Sequence, residues 1–202
     1  KKSAAKTGSR TDKLRGAEYL RFLCGKCASC CSLWVPVTDE DVRRVMEETF
    51  YSPEKIVQFV DHSRIQSDRG TIAWIKFGSA NGSKKAEKKA MCLRERGERC
   101  YFLKSRRCSI YENRPVVCRE HPFVLTMDGA GRKIQAIKLN KAENCAFTLQ
   151  GKVFKRDLKK VHNWNLVQDE RYWAKVRRWN RRKNPGSEKD FLRFLGLYDS
   201  LT

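Results

Sequence analysis

Apolar side chains recur at helical spacing in three parts of the chain. Thr38 is a favourable N-cap, and the acidic turn and spaced apolar residues that follow it predict a helix ending near residue 48. YSPEKIVQFVDHSRI begins in a similar way, with Ser52 ahead of Pro53, and predicts a second helix. A capping box at Ser187–Asp190 opens FLRFLGLYDSL, so a short last helix is expected there.

Stretches rich in β-branched and aromatic residues predict the strands. GTIAWIKFG is typical of one strand, and PFVLTM and RKIQAIKLN on either side of DGAG predict a hairpin. SANGSKKAEKKA, between these elements, is predicted to be a polar turn with its bend at Asn81–Gly82.

The region after Gly151 differs from the rest, because it is helical in pattern, basic and rich in aromatic residues. Tyr172, Val176 and Trp179 fall on one face, which we expect to pack on the core. The expected fold is α+β: a small cysteine-rich metal-stabilised core of short strands and helices, followed by a basic helical C-terminal extension. The predicted divisions are a flexible basic arm (1–18), a cysteine-cluster metal-binding domain (19–150) and the extension (151–202).

The charge balance changes the functional picture. The chain has 44 Lys and Arg against 23 Asp and Glu, a net charge of +21, which is more than solubility requires. Such a field attracts polyanions, so nucleic acid is the favoured partner over a merely solvated surface. The sequence has neither a run of about 18 apolar residues nor a secretory signal, so no membrane span is expected.

Four of the nine cysteines crowd into CGKCASCC. Nine is an odd number, and adjacent Cys30 and Cys31 are a poor pair for a disulfide. Burial in a core explains a single cysteine but not this spacing. Thiolates two residues apart can turn together toward one ion, so the pattern favours metal binding.

CGKCASCC together with CYFLKSRRCSIYENRPVVCREHPF resembles the YkgJ family, the CxxCxxCC-type zinc- or iron-chelating domain. The resemblance covers roughly Phe22 to Cys145, and members related to flagellin lysine-N-methylase share the signature. It implies eight metal ligands: Cys24, Cys27, Cys30, Cys31, Cys100, Cys108, Cys118 and Cys145. Cys92 is extra, and His121 stands where an aromatic residue is usual; both are possible further ligands.

Eight thiolates suit one or two sites that hold Zn²⁺ or an Fe–S cluster, and spacing alone does not separate these cofactors. A tetrathiolate site carries net negative charge, so we expect neighbouring arginines to offset it. Arg114 and Arg119 match family positions and are predicted to hydrogen-bond to sulfur or carboxylate around the metal. Ligands spread over about 120 residues couple metal binding to folding, which favours a structural role.

A catalytic constellation is not evident from the sequence, which lacks the HExxH, P-loop, GxGxxG and GxSxG motifs. A non-enzyme is therefore favoured. The alternative is a protein-modifying enzyme that depends on an Fe–S cluster or another metal and is related to lysine N-methylation. Electron transfer is a third class.

The favoured function is a metal-binding, structural RNA-binding protein. We expect it to be a component or assembly factor of an organellar ribosome or similar ribonucleoprotein, with rRNA and neighbouring proteins as partners. The predicted RNA contacts are Lys159, Lys160, Lys175, Arg177, Arg178, Arg181, Arg182 and Lys183. The chain starts with KKSAAKTGSRTDKLRG, without Met, which is typical of an end left by transit-peptide removal and equally of a sequence that simply begins there. The expected location is an organelle, the mitochondrion before the plastid, with the cytoplasm as the alternative.

Overall fold

The computed structural model describes residues 18–65, 72–78, 87–140 and 145–198. It is a mixed α+β structure, as predicted. The α-helices are α1 (Asp39–Thr49), α2 (Pro53–Ile56), α3 (Val116–Glu120), α4 (Lys155–Asn180) and α5 (Glu188–Phe194). The strands are β1 (Tyr19–Leu20), β2 (Leu23–Cys24), β3 (Val57–Asp61), β4 (Ile75–Phe77), β5 (Glu87–Leu93), β6 (Glu95–Arg96), β7 (Arg99–Cys100), β8 (Leu103–Lys104), β9 (Arg107–Cys108), β10 (Phe123–Met127), β11 (Ile134–Leu139), β12 (Phe147–Thr148) and β13 (Val153–Phe154). The predicted arm, apart from Glu18, and the predicted bend at Asn81–Gly82 lie outside the described residues.

Two predicted helix starts are confirmed by their caps. Thr38 and Asp41 form a reciprocal capping box at α1, in which each side chain accepts from the backbone N–H of the other residue. Ser187 and Asp190 form the same motif at α5. Each box satisfies N–H groups that the first helical turn leaves without partners.

The helix predicted over YSPEKIVQFVDHSRI is wrong beyond its first turn. The chain is helical only over α2 and then extends into β3. The side chains of Val57 and Val60 are buried in this strand. β-branched residues fit a pleated surface, and pairing with a neighbouring strand outweighed the helical start signal.

The neighbouring strand is β5, which forms the centre of an antiparallel sheet with the order β3-β5-β4. Its first residues, Glu87 to Lys89, belong to the segment that was predicted to be a polar turn, so that prediction is wrong for residues 87–90. Lys89 extends to Glu188 at the start of α5, with the ammonium nitrogen 3.1 Å from the carboxylate oxygen. The charged residues at the start of β5 lie near the surface and lack the alternation of apolar and polar residues that identifies a strand in a sequence. The start of β5 was therefore predicted to be a turn.

The predicted hairpin is confirmed as β10 and β11, which pair from Phe123–Leu139 to Met127–Ile134 with an irregularity near Met127. The predicted strand in GTIAWIKFG is confirmed as the shorter β4.

The main apolar cluster joins the C-terminal helices to the rest of the chain. Tyr172, Val176 and Trp179 of α4 are 0–4% exposed, as their common face predicted. They share one cluster with Val42 of α1 and Phe191 of α5. Trp179 also donates from Nε1 to the carbonyl oxygen of Lys76, at 2.8 Å. The division at residue 151 stays a prediction, while the helices beyond it complete the core.

A helix with the length and apolar character needed to cross a bilayer does not occur in the described part of the chain.

Candidate metal centre

Two short hairpins carry Cys100 and Cys108. Cys100 pairs with Glu95 across β6 and β7, and Cys108 pairs with Leu103 across β8 and β9. The intervening Phe102 is 1% exposed and anchors the segment in the main apolar cluster. Because the anchor lies between the two cysteines, both thiols pack half-buried against the same part of the core.

Cys118 comes from α3, which is tied to the N-terminus of α1. The backbone N–H of Val116 donates to Oδ1 of Asp41 at 3.1 Å. Burial, followed by the charges of Cys100, Cys30 and Cys108, raises the pKa of the Cys118 thiol well above its usual value.

Cys30 and Cys31 lie on a 3-10 turn, Ser29–Ser32, which is in contact with β7. Lys26 and Ala28, just before it, adopt positive φ angles of 50° and 62°, which turn the backbone sharply. A hydrogen bond from the Cys30 side chain lowers the pKa of Cys31, whereas burial and the charges of the three cysteines on the hairpins and α3 act to raise it.

Five thiols from three parts of the chain therefore share one electrostatic neighbourhood. We call Cys30, Cys31, Cys100, Cys108 and Cys118 the five-thiol group. Burial raises the pKa of Cys100 to about 11, and Cys108 and Cys30 add to this shift. The sequence spacing predicted convergence of this kind and left open which cysteines come together.

A second set of cysteines lies where β2 pairs with β12. Cys24 is opposite Phe147 in this ladder, and the N–H of Gly25 donates to the carbonyl of Ala146 at 2.7 Å. A Cβ at Gly25 would lie 2.5 Å from that oxygen, so the close approach requires glycine. Cys145 precedes Ala146 directly along the chain.

Cys27 belongs to the same set through its sulfur. Its Sγ lies 3.2 Å from the hydroxyl of Ser29. Hydrogen bonds from Ser29 and from the backbone N–H of Ala146 lower the pKa of the Cys27 thiol. We call Cys24, Cys27 and Cys145 the three-thiol group.

Cys92 lies apart, on β5, in an apolar cluster with Val60 and Ala90. It is 0% exposed, and burial raises its pKa to about 12. These surroundings are those of an inert core thiol rather than a ligand. His121, the other possible extra ligand, follows α3 directly, and its N–H donates to the carbonyl of Val117.

All nine cysteines lie in the described part of the chain and none is in a disulfide bond. Within that same part, no three His, Cys, Asp or Glu side chains form a group that could hold a metal ion. The five-thiol group therefore fits a metal by its donor chemistry, but its side chains do not form a complete ligand set in the described part of the chain. Thiolates suit both Zn²⁺ and iron–sulfur clusters.

The two predicted supporting arginines border the five-thiol group. The positive charge of Arg114 acts to lower the pKa of Cys108. Its guanidinium lies over the ring of Tyr111, 4.0 Å from the centroid. Arg119 donates to the backbone carbonyls of Arg114 and Glu112, and not to sulfur or carboxylate as predicted. Arg119 thus fixes the loop before α3 because carbonyls, rather than sulfurs, are within reach of its N–H groups.

A half-buried polar link between α3 and α4 was not recognised from the sequence. Nδ1 of His162 lies 3.1 Å from Glu120, and Asn165 donates to the same carboxylate at 3.3 Å. Burial, followed by the charges of Asp41 and Glu120, raises the pKa of nearby Asp169 to about 6. These residues are far apart along the chain, so no spacing could have indicated the contact.

The predicted RNA-contacting residues divide into two kinds. Lys175 forms an ion pair with buried Asp39, and Lys159 donates to the carbonyl of Arg132. The remaining six are exposed: Lys160, Arg177, Arg178, Arg181, Arg182 and Lys183. All but Lys160 lie near the C-terminal end of α4.

One comparison with known proteins gives a family match. Residues 23–146 match the family CxxCxxCC, described as "Putative zinc- or iron-chelating domain". The chain matches none of the curated proteins or solved structures with which it was compared. The matched segment contains both thiol groups and spans more than half of the 202 residues. The chain therefore belongs to the CxxCxxCC family of zinc- or iron-chelating domains.

Proposed function

We propose that this protein is a metal-stabilised RNA-binding protein. The five-thiol group supplies the principal metal centre, and the three-thiol group supplies ligands for a second. The exposed basic residues at the end of α4 and directly after it contact RNA. The metal part is supported by the mutual influence of the thiols of the 3-10 turn, the two hairpins and α3 on one another's pKa.

The role proposed for the metal is structural. When bound, Zn²⁺ or an Fe–S cluster would supply a cross-link between the 3-10 turn, which has no buried residue, and the hairpins and α3, which pack on the apolar core. Cys30 and Cys31 precede α1, whereas Cys118 follows the hairpins, so one centre would connect both sides of the domain. Binding free energy of this kind contributes directly to folding.

Cysteine variants test the assignment to two groups. We expect Cys118→Ser to lose the principal metal, because it removes a buried donor from the five-thiol group. Cys145→Ser should retain that metal and lose only the second centre. Zinc and iron per chain, measured by elemental analysis, give the readout. Cys92→Ala is the matched control, because it removes a thiol outside both groups. Equal metal loss in Cys118→Ser and Cys92→Ala would overturn the assignment.

The proposed RNA binding is supported by exposed positive charge and by the fixed position of the helix that carries it. Arg177, Arg181 and Lys183 are exposed at the end of a helix whose buried face is fixed in the core. Asn180, on the same turn, accepts from the backbone N–H of Lys76 and donates to the carbonyl of Trp74, both at 2.8 Å. A fixed row of cations can contact phosphates without ordering new structure.

Salt dependence tests this surface. The variant Arg177→Gln, Arg181→Gln, Lys183→Gln should bind a mixed-sequence single-stranded RNA more weakly. The slope of log K against log salt should fall by about 2, because each lost phosphate contact contributes about 0.7. Fluorescence anisotropy over a salt series is the measurement.

The matched control removes the same charge elsewhere, through Lys55→Gln, Lys133→Gln and Lys138→Gln, all of which are exposed positions. Equal slopes for the two triple variants would show a general charge effect and overturn the helix as the contact. Membership of an organellar ribosome or a similar ribonucleoprotein stays a prediction. Co-purification of rRNA with the tagged chain from isolated organelles tests it.

A further inference from the structure

A cavity of about 380 Å³ lies between the loop before α3 and the start of α4, apart from the basic end of that helix. Arg114 and Arg119 line one side, and Lys152 lies on the other. Asp157 on its wall and Arg177 are 20 residues apart, which is about 30 Å along a helix. The cavity is therefore a separate place on the molecule.

Exposed aromatic rings distinguish this cavity. Tyr111 is 56% exposed and Phe154 is 39% exposed, and both line it. By contrast, Trp179 and Phe191 are fully buried in the core. Val153, Leu158 and Val161 are the other apolar residues of the wall, and the remaining lining residues are charged. The cavity thus offers flat apolar surface that water covers in the free protein.

Cations lie against these rings. The guanidinium of Arg114 lies 4.0 Å from the centroid of Tyr111, and that of Arg156 lies 5.2 Å from Phe154. The ammonium of Lys152 lies 4.9 Å from the ring of Tyr19, which itself contacts Phe154 edge to face. These contacts hold positive charge at the rim of the aromatic surface.

Two carboxylates also line the cavity. Asp157 lies 3.6 Å from the guanidinium of Arg156, which offsets its charge. Glu112 is exposed. Three lining cations against two carboxylates leave a net positive lining, so an anion attached to a planar ring matches it better than a cation or a neutral ring.

The geometry points to a nucleotide-binding site in this cavity. The base stacks on Tyr111 or Phe154, and the phosphate lies against Lys152 and Arg119. The inference rests on the proposed RNA-binding function and deepens it: a bound strand has one nucleotide held here by stacking and makes phosphate contacts at the far end of α4. A free nucleotide has the same chemistry, so the test distinguishes the two sources.

Tyr111→Ala is the central variant, because its ring is exposed and contributes little to the core. Stacking of one base on an aromatic ring implies roughly tenfold weaker RNA binding for this variant. The salt slope should not change, because no phosphate contact is lost. Tyr111→Phe should retain affinity, and Phe50→Ala, which removes a ring that is 84% exposed elsewhere, is the control.

The measurement is anisotropy with labelled single-stranded RNA and, separately, calorimetry with AMP and UMP. Tenfold loss for RNA alone assigns the site to a strand, and loss for the mononucleotides assigns it to a free nucleotide. If the wild type binds RNA with a steep salt slope and Tyr111→Ala binds equally well, the site is wrong and the proposed function stands. If the wild type binds neither RNA nor nucleotides, both are wrong. Loss of binding to a phosphotyrosine peptide, with RNA unaffected, would replace the nucleotide by an acidic peptide.

Discussion

The side of the molecule built on β3, β5 and β4 and the side that carries the cysteines are stabilised in different ways. The first is closed by apolar residues such as Ile56, Ile75 and Trp179, each 0% exposed. The second consists of two-residue strands, β6 to β9, with positive φ angles at Ser105 and Arg106. Most of its thiols are half-buried rather than closed into a core.

The two regions therefore depend on different interactions for their stability. Apolar burial stabilises the sheet and the C-terminal helices without any added group. The cysteine hairpins have one large buried anchor each, Phe102 and Ile110, and otherwise short ladders. A metal would supply the missing connections there, so we expect the two regions to respond differently to the same perturbation.

The largest effect is expected at the junction between them. Asp41 accepts from Thr38 and, at 3.1 Å, from the backbone N–H of Val116, and it pairs with Arg44 at 2.5 Å. Burial raises the pKa of Asp41, but both of its oxygens accept hydrogen bonds, unlike those of Asp169. Asp41→Asn places an NH₂ group against the donors of one of these oxygens, so we expect a loss of about 2–3 kcal/mol in the free energy of unfolding. Urea denaturation of the full chain measures it.

The second capping box gives a matched control. Asp190 has the same contacts to Ser187 at α5, but its side chain is 48% exposed to solvent. Asp190→Asn should therefore cost clearly less than Asp41→Asn. Hydrogen exchange at Cys118 should also increase only in the Asp41 variant, because α3 depends on it. Equal effects of the two substitutions would remove Asp41 as the link between the regions.

A smaller effect, of opposite sign, is expected at Asp169. Burial and the carboxylates of Asp41 and Glu120 raise its pKa from 3.8 to about 6. Between these values the folded chain retains a proton that the unfolded chain has released, so its contribution to stability falls as pH rises from about 4 to about 6. Asp169→Asn removes this loss, so we expect the free energy of unfolding above pH 6 to rise by about 1–2 kcal/mol. This value is lower than the full pKa shift implies, because the side chain is partly exposed to solvent.

Thermal denaturation across this pH range measures the gain. The control is Asp157→Asn, which removes an exposed carboxylate from the same helix. A variant at Asp169 that is no more stable than the wild type above pH 6, or one stabilised equally at pH 4, would show that neither burial nor the neighbouring carboxylates disfavour the charged form of Asp169 in the fold.

The sequence predicted correctly those elements whose capping residues and apolar spacing lie within one short segment. Two helix starts were predicted from such motifs and are confirmed: one at Thr38 and one at Ser187. The spacing of Tyr172 and Trp179 predicted a buried face correctly. The prediction at β3 failed because the strand depends on pairing with β5, which is some thirty residues away. β5 was itself not predicted, because it begins with Glu87 and lysines.

The same contrast between local and long-range information applies to the candidate site. The spacing of CGKCASCC and the family resemblance identified metal-ligand chemistry, and the family is confirmed. The spacing could not divide the cysteines, because their grouping depends on the two hairpins and on α3, which Asp41 holds in place. The separation of Cys92 follows from its position on the central strand of the sheet, a strand that the sequence did not predict.

The central claim is that thiolates from distant parts of the chain hold a metal ion or cluster. X-ray absorption spectroscopy of the purified full chain, at the zinc and iron edges, tests it most directly. The account predicts a first shell of about four sulfur neighbours, at about 2.3 Å if the metal is zinc. A shell made of oxygen and nitrogen, or a folded chain that contains neither metal, would contradict it.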